Sequence, residues 1–267
     1  MQDLLTRARA ELRHEPIEKR VRALAGAQTV VDSARAVLVW EPRRIVPTYA
    51  VPAEDIRAQL APAAAVEAEG PPVLHPGIPF SVHTAAGEPV SIGDREGAGF
   101  RFSDDDLAGY VALDFGAFDA WYEEDEQIHG HPRDPYHRID VRRTERPVRI
   151  EVDGDVVAES NRARLLFETH LVVRYYLPKE DVRGRLVPSS RATYCPYKGG
   201  ASYWSVETNG RRHDDIGWSY EEPLPDAVSI AGFVAFWNER VDVFVDGELR
   251  EPPRGPIADA LRREFRV

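Results

Sequence analysis

The sequence predicts a mainly β protein that consists of two tandem copies of one small domain. Three observations support this fold class: an internal repeat, many short segments in which apolar and polar residues alternate, and hairpin-type turn dipeptides between them. The 267 residues suffice for two domains of ordinary size, and an apolar content of 43% is enough to form their cores. The many short strands favour a layered β structure over a βαβ fold.

The internal repeat is the strongest of the three observations. Segments of the first half recur in the same order in the second half, with a spacing that changes slowly. The clearest matches are residues 30–41 with 157–168, 52–57 with 178–183, 80–82 with 204–206, 99–102 with 217–220 and 107–112 with 230–235. We place the boundary in the polar stretch 142–147 and expect a degenerate copy at residues 1–143 and a second copy at 144–267. The copies are expected to be related by pseudo-twofold symmetry, as a pseudo-dimer within one chain.

Turn and helix signals place the elements within this repeat. Three dipeptides are typical of two-residue hairpin turns: Asp153-Gly154, Asn209-Gly210 and Asp246-Gly247. Residues 178–182 are expected to form one helical turn. Two terminal helices are predicted, one at residues 3–14 and one at Pro256–Phe265, because apolar residues recur there at helical spacing.

Composition argues against several functional classes. A net charge of −11 does not favour a nucleic-acid partner, and no run of about 18 apolar residues predicts a membrane helix. We therefore expect neither nucleic acid nor membrane as partner, and a cytoplasmic location. Cys195 is the only cysteine, so no internal disulfide and no cysteine-based zinc site can form. His129 and His131 could face one side of a strand, but no third ligand at fixed spacing accompanies them, and no metal site is predicted.

The densest group of chemically useful side chains lies in residues 193–206. Cys195 precedes Lys198 by three positions, which suits a thiolate stabilised by a nearby cation, so both residues are candidates for catalysis. Three aromatic residues of the segment could stack on a planar ligand: Tyr197, Tyr203 and Trp204. The alternative interpretation is a small buried cysteine beside a purely structural turn. Residues 74–80, the expected counterpart in the first copy, retain only the proline and glycine, which favours a function in the second copy.

Arg174 is a second cation specific to the second copy, because the expected counterpart at residues 47–49 has no arginine. An arginine beside tyrosines suits recognition of a carboxylate or phosphate. Burying Arg174 and Lys198 without acidic partners would be costly, so each should face a carboxylate, such as Glu168 or Glu180, or bind an anionic ligand. The predicted ligand-binding residues besides Arg174 are aromatic: Tyr176, Tyr197, Tyr203, Trp204, Trp218 and Tyr220. No cofactor is indicated.

Several of these segments resemble the bacterial DUF427 domain. The resemblance rests on residues 174–178, 193–204, 218–220 and 230–232, and it is strong over residues 148–245 and weaker over 21–113. Elements typical of the C-terminal end of the family, at residues 121–124 and 131–136, stand instead at the end of the first copy.

The resemblance implies a compact Mss4-like, or β-tent, fold in which two sheets enclose a cleft. Related folds include methionine sulfoxide reductases and small-ligand-binding domains. The family has also been labelled nucleotidyltransferase-like, but the sequence has no acidic pair with flanking Gly-Ser that would support that chemistry.

Two classes of function remain open from the sequence. The first is binding of a small anionic or planar ligand in a cleft of the second copy, with catalysis by Cys195 and Lys198 as an extension. The alternative is a non-catalytic interaction module in which the fused pair replaces a homodimer of single domains. A thiol redox role would require an exposed Cys195 and an external thiol, because the chain has no second cysteine.

Overall fold

The computed structural model describes residues 10–66 and 70–265, and the chain divides into two compact units, Met1–Pro135 and Tyr136–Val267. The division falls before a strand at Ile139–Arg143, which pairs with Arg164–Glu168 and so belongs to the second unit. The predicted boundary between residues 143 and 144 would have assigned this strand to the first.

Both units are built from β-strands with short 3-10 segments between them. The first contains β1 (Arg13–Pro16), β2 (Val21–Ala25), β3 (Gln28–Ser33), β4 (Val37–Trp40), β5 (Thr48–Pro52), β6 (Leu60–Pro62), β7 (Gly87–Ile92), β8 (Arg95–Phe102), β9 (Tyr110–Leu113), β10 (Ala120–Glu123) and β11 (Glu126–Ile128). Its 3-10 segments are Ala53–Asp55, Asp105–Leu107 and Phe115–Ala117.

The second unit contains β12 (Ile139–Arg143), β13 (Val148–Val152), β14 (Asp155–Ser160), β15 (Arg164–Glu168), β16 (Arg174–Pro178), β17 (Arg185–Cys195), β18 (Gly199–Thr208), β19 (Arg211–Ser219), β20 (Phe233–Phe236), β21 (Asp242–Val245) and β22 (Glu248–Leu249). Its 3-10 segments are Lys179–Asp181 and Pro225–Ile230, and helix α1 spans Pro256–Phe265.

The two units share one sheet topology, which confirms two similar mainly β domains. Each has a seven-stranded sheet, ordered β1-β4-β5-β9-β8-β7-β6 in the first unit and β12-β15-β16-β20-β19-β18-β17 in the second. Each also has a four-stranded sheet, ordered β11-β10-β2-β3 and β22-β21-β13-β14. Every strand therefore has a counterpart at the same place in the other unit. The pseudo-twofold relation between the units stays a prediction.

The three predicted hairpin turns are confirmed. Each dipeptide joins two antiparallel strands, and both of its residues have positive φ, as in Asp153 (50°) followed by Gly154 (83°). This conformation matches the right-handed twist of the flanking strands and is accessible to Asp or Asn followed by Gly. The helical turn after Pro178 is also confirmed, as a 3-10 segment.

The two predicted terminal helices have different outcomes. The C-terminal helix is confirmed with the predicted bounds, Pro256–Phe265. Most of the predicted helix at residues 3–14 lies outside the described residues. Its described positions, residues 10–14, are wrong, because none of them is helical, and Arg13 and His14 belong to β1 and pair with β4. Pairing with a neighbouring strand there overrides the local helical spacing. No helix in the described part of the chain is long and apolar enough to cross a membrane.

In each unit an apolar core fills the space between the two sheets, and in the first unit this core also contains the aromatic residues Trp40, Tyr49, Phe118 and Trp121. In the second unit this core includes Val148 and Ile150 of the small sheet and Leu177 and Val234 of the large sheet, all essentially inaccessible to solvent. Because side chains alternate along a strand, the neighbouring residues of the large sheet face the other way. That outward side of the large sheet carries the chemically distinctive residues, and it differs between the units.

Strand register assigns counterparts residue by residue and corrects one sequence match. Gly99 pairs with Val90 of β7, and its counterpart Gly217 pairs with Trp204 of β18. Val90 is therefore the counterpart of Trp204, and the predicted match of residues 80–82 with 204–206 is wrong. The cause is a long connection in the first unit, residues 63–86, where the second unit has only Pro196–Lys198 between β17 and β18.

Candidate functional site

The hairpin between β17 and β18 positions the Cys-Pro-Tyr-Lys-Gly motif. The Lys198 amide donates to the Cys195 carbonyl at 3.2 Å, and the Lys198 carbonyl accepts from the Leu224 amide at 3.1 Å. Gly199 has φ +95°, and a Cβ there would lie 3.3 Å from the Glu222 carbonyl oxygen. Only glycine fits this position without strain, so the turn is fixed against the segment that precedes Pro225–Ile230.

Lys198 is buried and pairs with Glu168 at the end of β15. Its Nζ donates to both carboxylate oxygens, at 2.5 and 2.6 Å, and both side chains are less than a tenth exposed. His137 Nε2 lies 3.0 Å from Glu168 Oε1, and its ring stacks on Tyr197 with centroids 4.0 Å apart. The expectation that Lys198 faces Glu168 is confirmed.

The surroundings of Glu168 set its charge state. Burial raises the pKa of this carboxyl, but the Lys198 ammonium and the His137 hydrogen bond oppose burial more strongly, and the net pKa is about 2. Glu168 is therefore ionised at neutral pH, and it compensates the charge of Lys198 within the protein.

Arg174 also has a carboxylate partner, although not one of those predicted. Its guanidinium forms two hydrogen bonds to Glu239, at 2.7 and 2.9 Å, and both side chains are buried. The guanidinium also lies over the rings of Trp218 and Trp237, at 5.5 and 5.3 Å from their centroids. Glu180, the other predicted partner, binds Arg162 at the surface instead.

Aromatic side chains gather on the outward side of the large sheet around these charges. We define the aromatic face as Tyr176, Tyr203, Trp218, Tyr220 and Trp237, which pack in one cluster with Cys195 at its edge. The Trp218 indole donates to the Tyr176 hydroxyl at 3.1 Å, and the rings of Trp218 and Trp237 lie 4.3 Å apart. Burial raises the pKa values of Tyr176 and Tyr220 well above the usual tyrosine range, so both phenols stay neutral.

The structure brings most of the predicted site residues together but separates Trp204 from them. Four of them belong to the aromatic face: Tyr176, Tyr203, Trp218 and Tyr220. The Arg174 guanidinium lies over the Trp218 ring of this face. Trp204 follows Tyr203 on β18, points to the other side of the sheet and packs against the core between the sheets. Its indole donates to Ser219 at 2.7 Å, and Lys179 Nζ lies 4.5 Å from its ring centroid.

Three residues of this region were not predicted from the sequence to belong to the site: His137, Trp237 and Glu239. Each lies far along the chain from the side chain that it contacts. The sequence held one usable signal, because a buried arginine requires a buried carboxylate, but it could not show which of the many acidic residues supplies it. Trp237 directly follows the matched segment 230–235 and could have been included on that ground.

The histidines predicted as a possible metal pair do not lie on one strand. β11 ends at Ile128, before His129 and His131. A different group, His14, Asp104 and Asp106, brings its potential ligand atoms within 4.8 Å of one another. Asp106 is exposed, and surface groups of this kind are common without an ion, so we assign no metal site to them.

One known protein family matches the second unit of the chain. The model of a domain of unknown function, DUF427, matches residues 140–247, which run from β12 to the turn between β21 and β22. The second unit is therefore similar to the DUF427 domain. The match does not reach the first unit, whose kinship with the second rests on sheet topology and register. No curated protein matches the chain.

Proposed function

We propose that the second unit binds a small planar molecule at its aromatic face. The observation that carries this proposal is the composition of that face. The core between the sheets is almost entirely aliphatic, whereas the aromatic face combines five large rings with two buried ion pairs. A protein in which apolar residues of similar volume replace a buried ion pair is often as stable as the original or more stable. This favours a function for the two pairs beyond stability.

The charges of the site favour a planar ligand over an anionic one. Lys198 is already neutralised by Glu168, and Arg174 by Glu239. An anion would have to displace a carboxylate that is bound through two hydrogen bonds, with little net gain. A planar molecule would instead stack on the edge of the face, where Trp237 and Cys195 are partly exposed.

A catalytic role for Cys195 is a further part of this proposal. Cys195 is partly exposed and packs against the cluster that contains the tyrosines. Lys198 would contribute by positioning rather than as a free cation, because its ammonium group is held by Glu168. If the bound molecule reacts with the thiol, Cys195→Ser should abolish the reaction and leave binding intact, as mass spectrometry and titration would show.

The test is a thermal-shift screen against nucleotides, phosphorylated metabolites and oxidised thiols, followed by titration of tryptophan fluorescence with any hit. Trp237→Phe removes a fluorophore of the aromatic face, and the matched Trp204→Phe removes one on the opposite side of the sheet. We expect the ligand-induced change to be lost in the first variant and retained in the second. An equal response in both variants, or no hit at all, would favour the non-catalytic interaction module.

A further inference from the structure

The first unit contains an open cavity of about 930 Å³ on the outward side of its large sheet. This is the side that corresponds to the aromatic face of the second unit. The volume lies within the range of small-molecule sites. The cavity is therefore a candidate site that is independent of the function proposed for the second unit.

Smaller side chains at counterpart positions are one reason why this side is open. Register makes Thr48 the counterpart of Arg174. Asp114 is the counterpart of Trp237, because each directly follows the last paired residue of its strand. The Asp114 amide donates to the Ala98 carbonyl, and the Trp237 amide donates to the corresponding carbonyl of Ile216. Thr48 and Asp114 both line the cavity.

The cavity carries one buried cation. Arg44 is 7% exposed and lines the cavity. One terminal nitrogen donates to the Val82 carbonyl at 2.6 Å, and Nε forms an ion pair with Glu41 at 3.5 Å that is too poorly aligned to be a hydrogen bond. Glu41 is held by better partners, His83 Nδ1 at 3.0 Å and the Thr84 amide at 2.8 Å. The guanidinium therefore keeps hydrogen-bonding capacity for a ligand.

The cavity also carries a carboxylate that does not neutralise this cation. Asp114 accepts a hydrogen bond from the Gly116 amide at 2.9 Å. Arg44 and Asp114 attract one another, yet they form no ion pair among the described contacts. A cation and a carboxylate thus both line this cavity.

Aromatic rings and prolines form another part of the cavity wall. The His83 ring stacks on Phe100 with centroids 3.6 Å apart, and Phe80 meets His83 edge-on at 4.9 Å. Pro79 and Pro89 extend this wall. Such a surface suits an apolar or aromatic side chain of a ligand.

We propose that this cavity binds a free amino acid with an apolar or aromatic side chain. Its carboxylate pairs with Arg44, its ammonium group pairs with Asp114, and its side chain packs against the wall around Phe100. A zwitterion can pair with both Arg44 and Asp114, whereas a simple anion or cation can pair with only one of them.

The test uses three related probes with the full chain: L-phenylalanine, 3-phenylpropionate, which lacks the ammonium group, and phenethylamine, which lacks the carboxylate. Isothermal titration should show that the amino acid binds at least about tenfold more tightly than either analogue. Asp114→Asn should abolish its advantage over 3-phenylpropionate, and Arg44→Gln its advantage over phenethylamine.

Asp104→Asn is the matched control. Asp104 caps a 3-10 segment of the same unit in the same way, by accepting from the Asp106 amide, but it does not line the cavity. The control should bind like the unmodified protein. The proposal is overturned if the amino acid has no advantage over its analogues, if no probe binds, or if Asp104→Asn and Asp114→Asn reduce binding equally.

Discussion

The two units share their strand order and differ in the side chains on the outward side of the large sheet. The pairing of β2 with β3 and of β13 with β14 repeats residue for residue, including a register shift at the equivalent position. On the outward side of the large sheet, by contrast, the second unit has Arg174 and Trp237 where Thr48 and Asp114 line an open cavity in the first. The strand pairing is thus constrained by the shared fold, whereas the side chains on the outward side of the large sheet have diverged.

The buried glutamates Glu41 and Glu168 show how the same site diverges. They occupy counterpart positions and both are almost inaccessible. Glu168 is compensated by Lys198 and His137, whereas Glu41 is compensated by His83, two backbone amides and the more distant Arg44. The buried carboxylate is therefore present in both units but has different partners. This is possible because a buried charge needs a compensating group, and several residue types can supply one.

The largest effect is expected from breaking this compensation in the second unit. Lys198→Ala leaves Glu168 charged and buried, and should lower the free energy of unfolding by about 3 to 5 kcal/mol. Denaturant unfolding followed by circular dichroism measures the loss. The double variant Lys198→Met with Glu168→Gln should recover most of it. If the single variant unfolds like the unmodified protein, the pair contributes nothing to the difference between the units.

The acid sensitivity of Glu168 gives the next largest effect. Its pKa is about 2 in the folded protein, against an ordinary value of 4.5. A depressed pKa stabilises the fold above pH 4.5, and this stability is lost as the pH falls through 2. The loss should amount to about 3 kcal/mol across that window. Denaturant unfolding at a series of pH values should show the decline, and Glu168→Gln should flatten it.

Trp204 allows the two sides of the large sheet to be compared on one strand. Trp204→Ala removes a partly buried ring from the core between the sheets, and should destabilise the second unit by about 2 to 3 kcal/mol, less than a fully buried tryptophan. The change should leave ligand binding at the aromatic face intact in the fluorescence titration. A loss of binding without a loss of stability would mean that Trp204 belongs to the site after all.

Much of the fold could be predicted from the sequence, because its signals are local. The dipeptide at Asp153-Gly154 needs positive φ wherever it occurs, and alternation over Val148–Val152 reports a half-buried strand without reference to the rest of the chain. The predicted helix near the N-terminus failed at Arg13 and His14 because pairing with β4, a non-local contact, decided their conformation.

The site was harder to predict because its contacts are between distant segments. Arg174 and Lys198 were recognised as cations that need partners, yet Glu239 became a partner only through the fold. The alignment of the two copies failed where the connection at residues 63–86 replaces a tight turn, since an insertion shifts the spacing on which the matching depends. A second shift lies in the connection between β4 and β5, which, counted between paired residues, is one residue longer than its counterpart between β15 and β16, so that Thr48 and not Pro47 is the counterpart of Arg174.

The smallest predicted effect tests what the units share. Ser33 Oγ donates to Asp55 at 2.6 Å and accepts from the Arg35 amide, and Ser160 repeats both contacts with Asp181, at 2.5 Å, and Arg162. Ser33→Ala and Ser160→Ala should each cost about 1 to 2 kcal/mol, because each leaves two partly buried groups without their hydrogen bonds.

The two costs should agree within about 0.5 kcal/mol and should add in the double variant, since the sites share no partners. Denaturant unfolding of the single and double variants measures this, with Ser202→Ala, at an exposed position, as a control that should change stability by no more than about 0.5 kcal/mol. Unequal costs would mean that the shared contacts have different weight in the two units, and that divergence extends beyond the outward side of the large sheet into the part of the fold that they have in common.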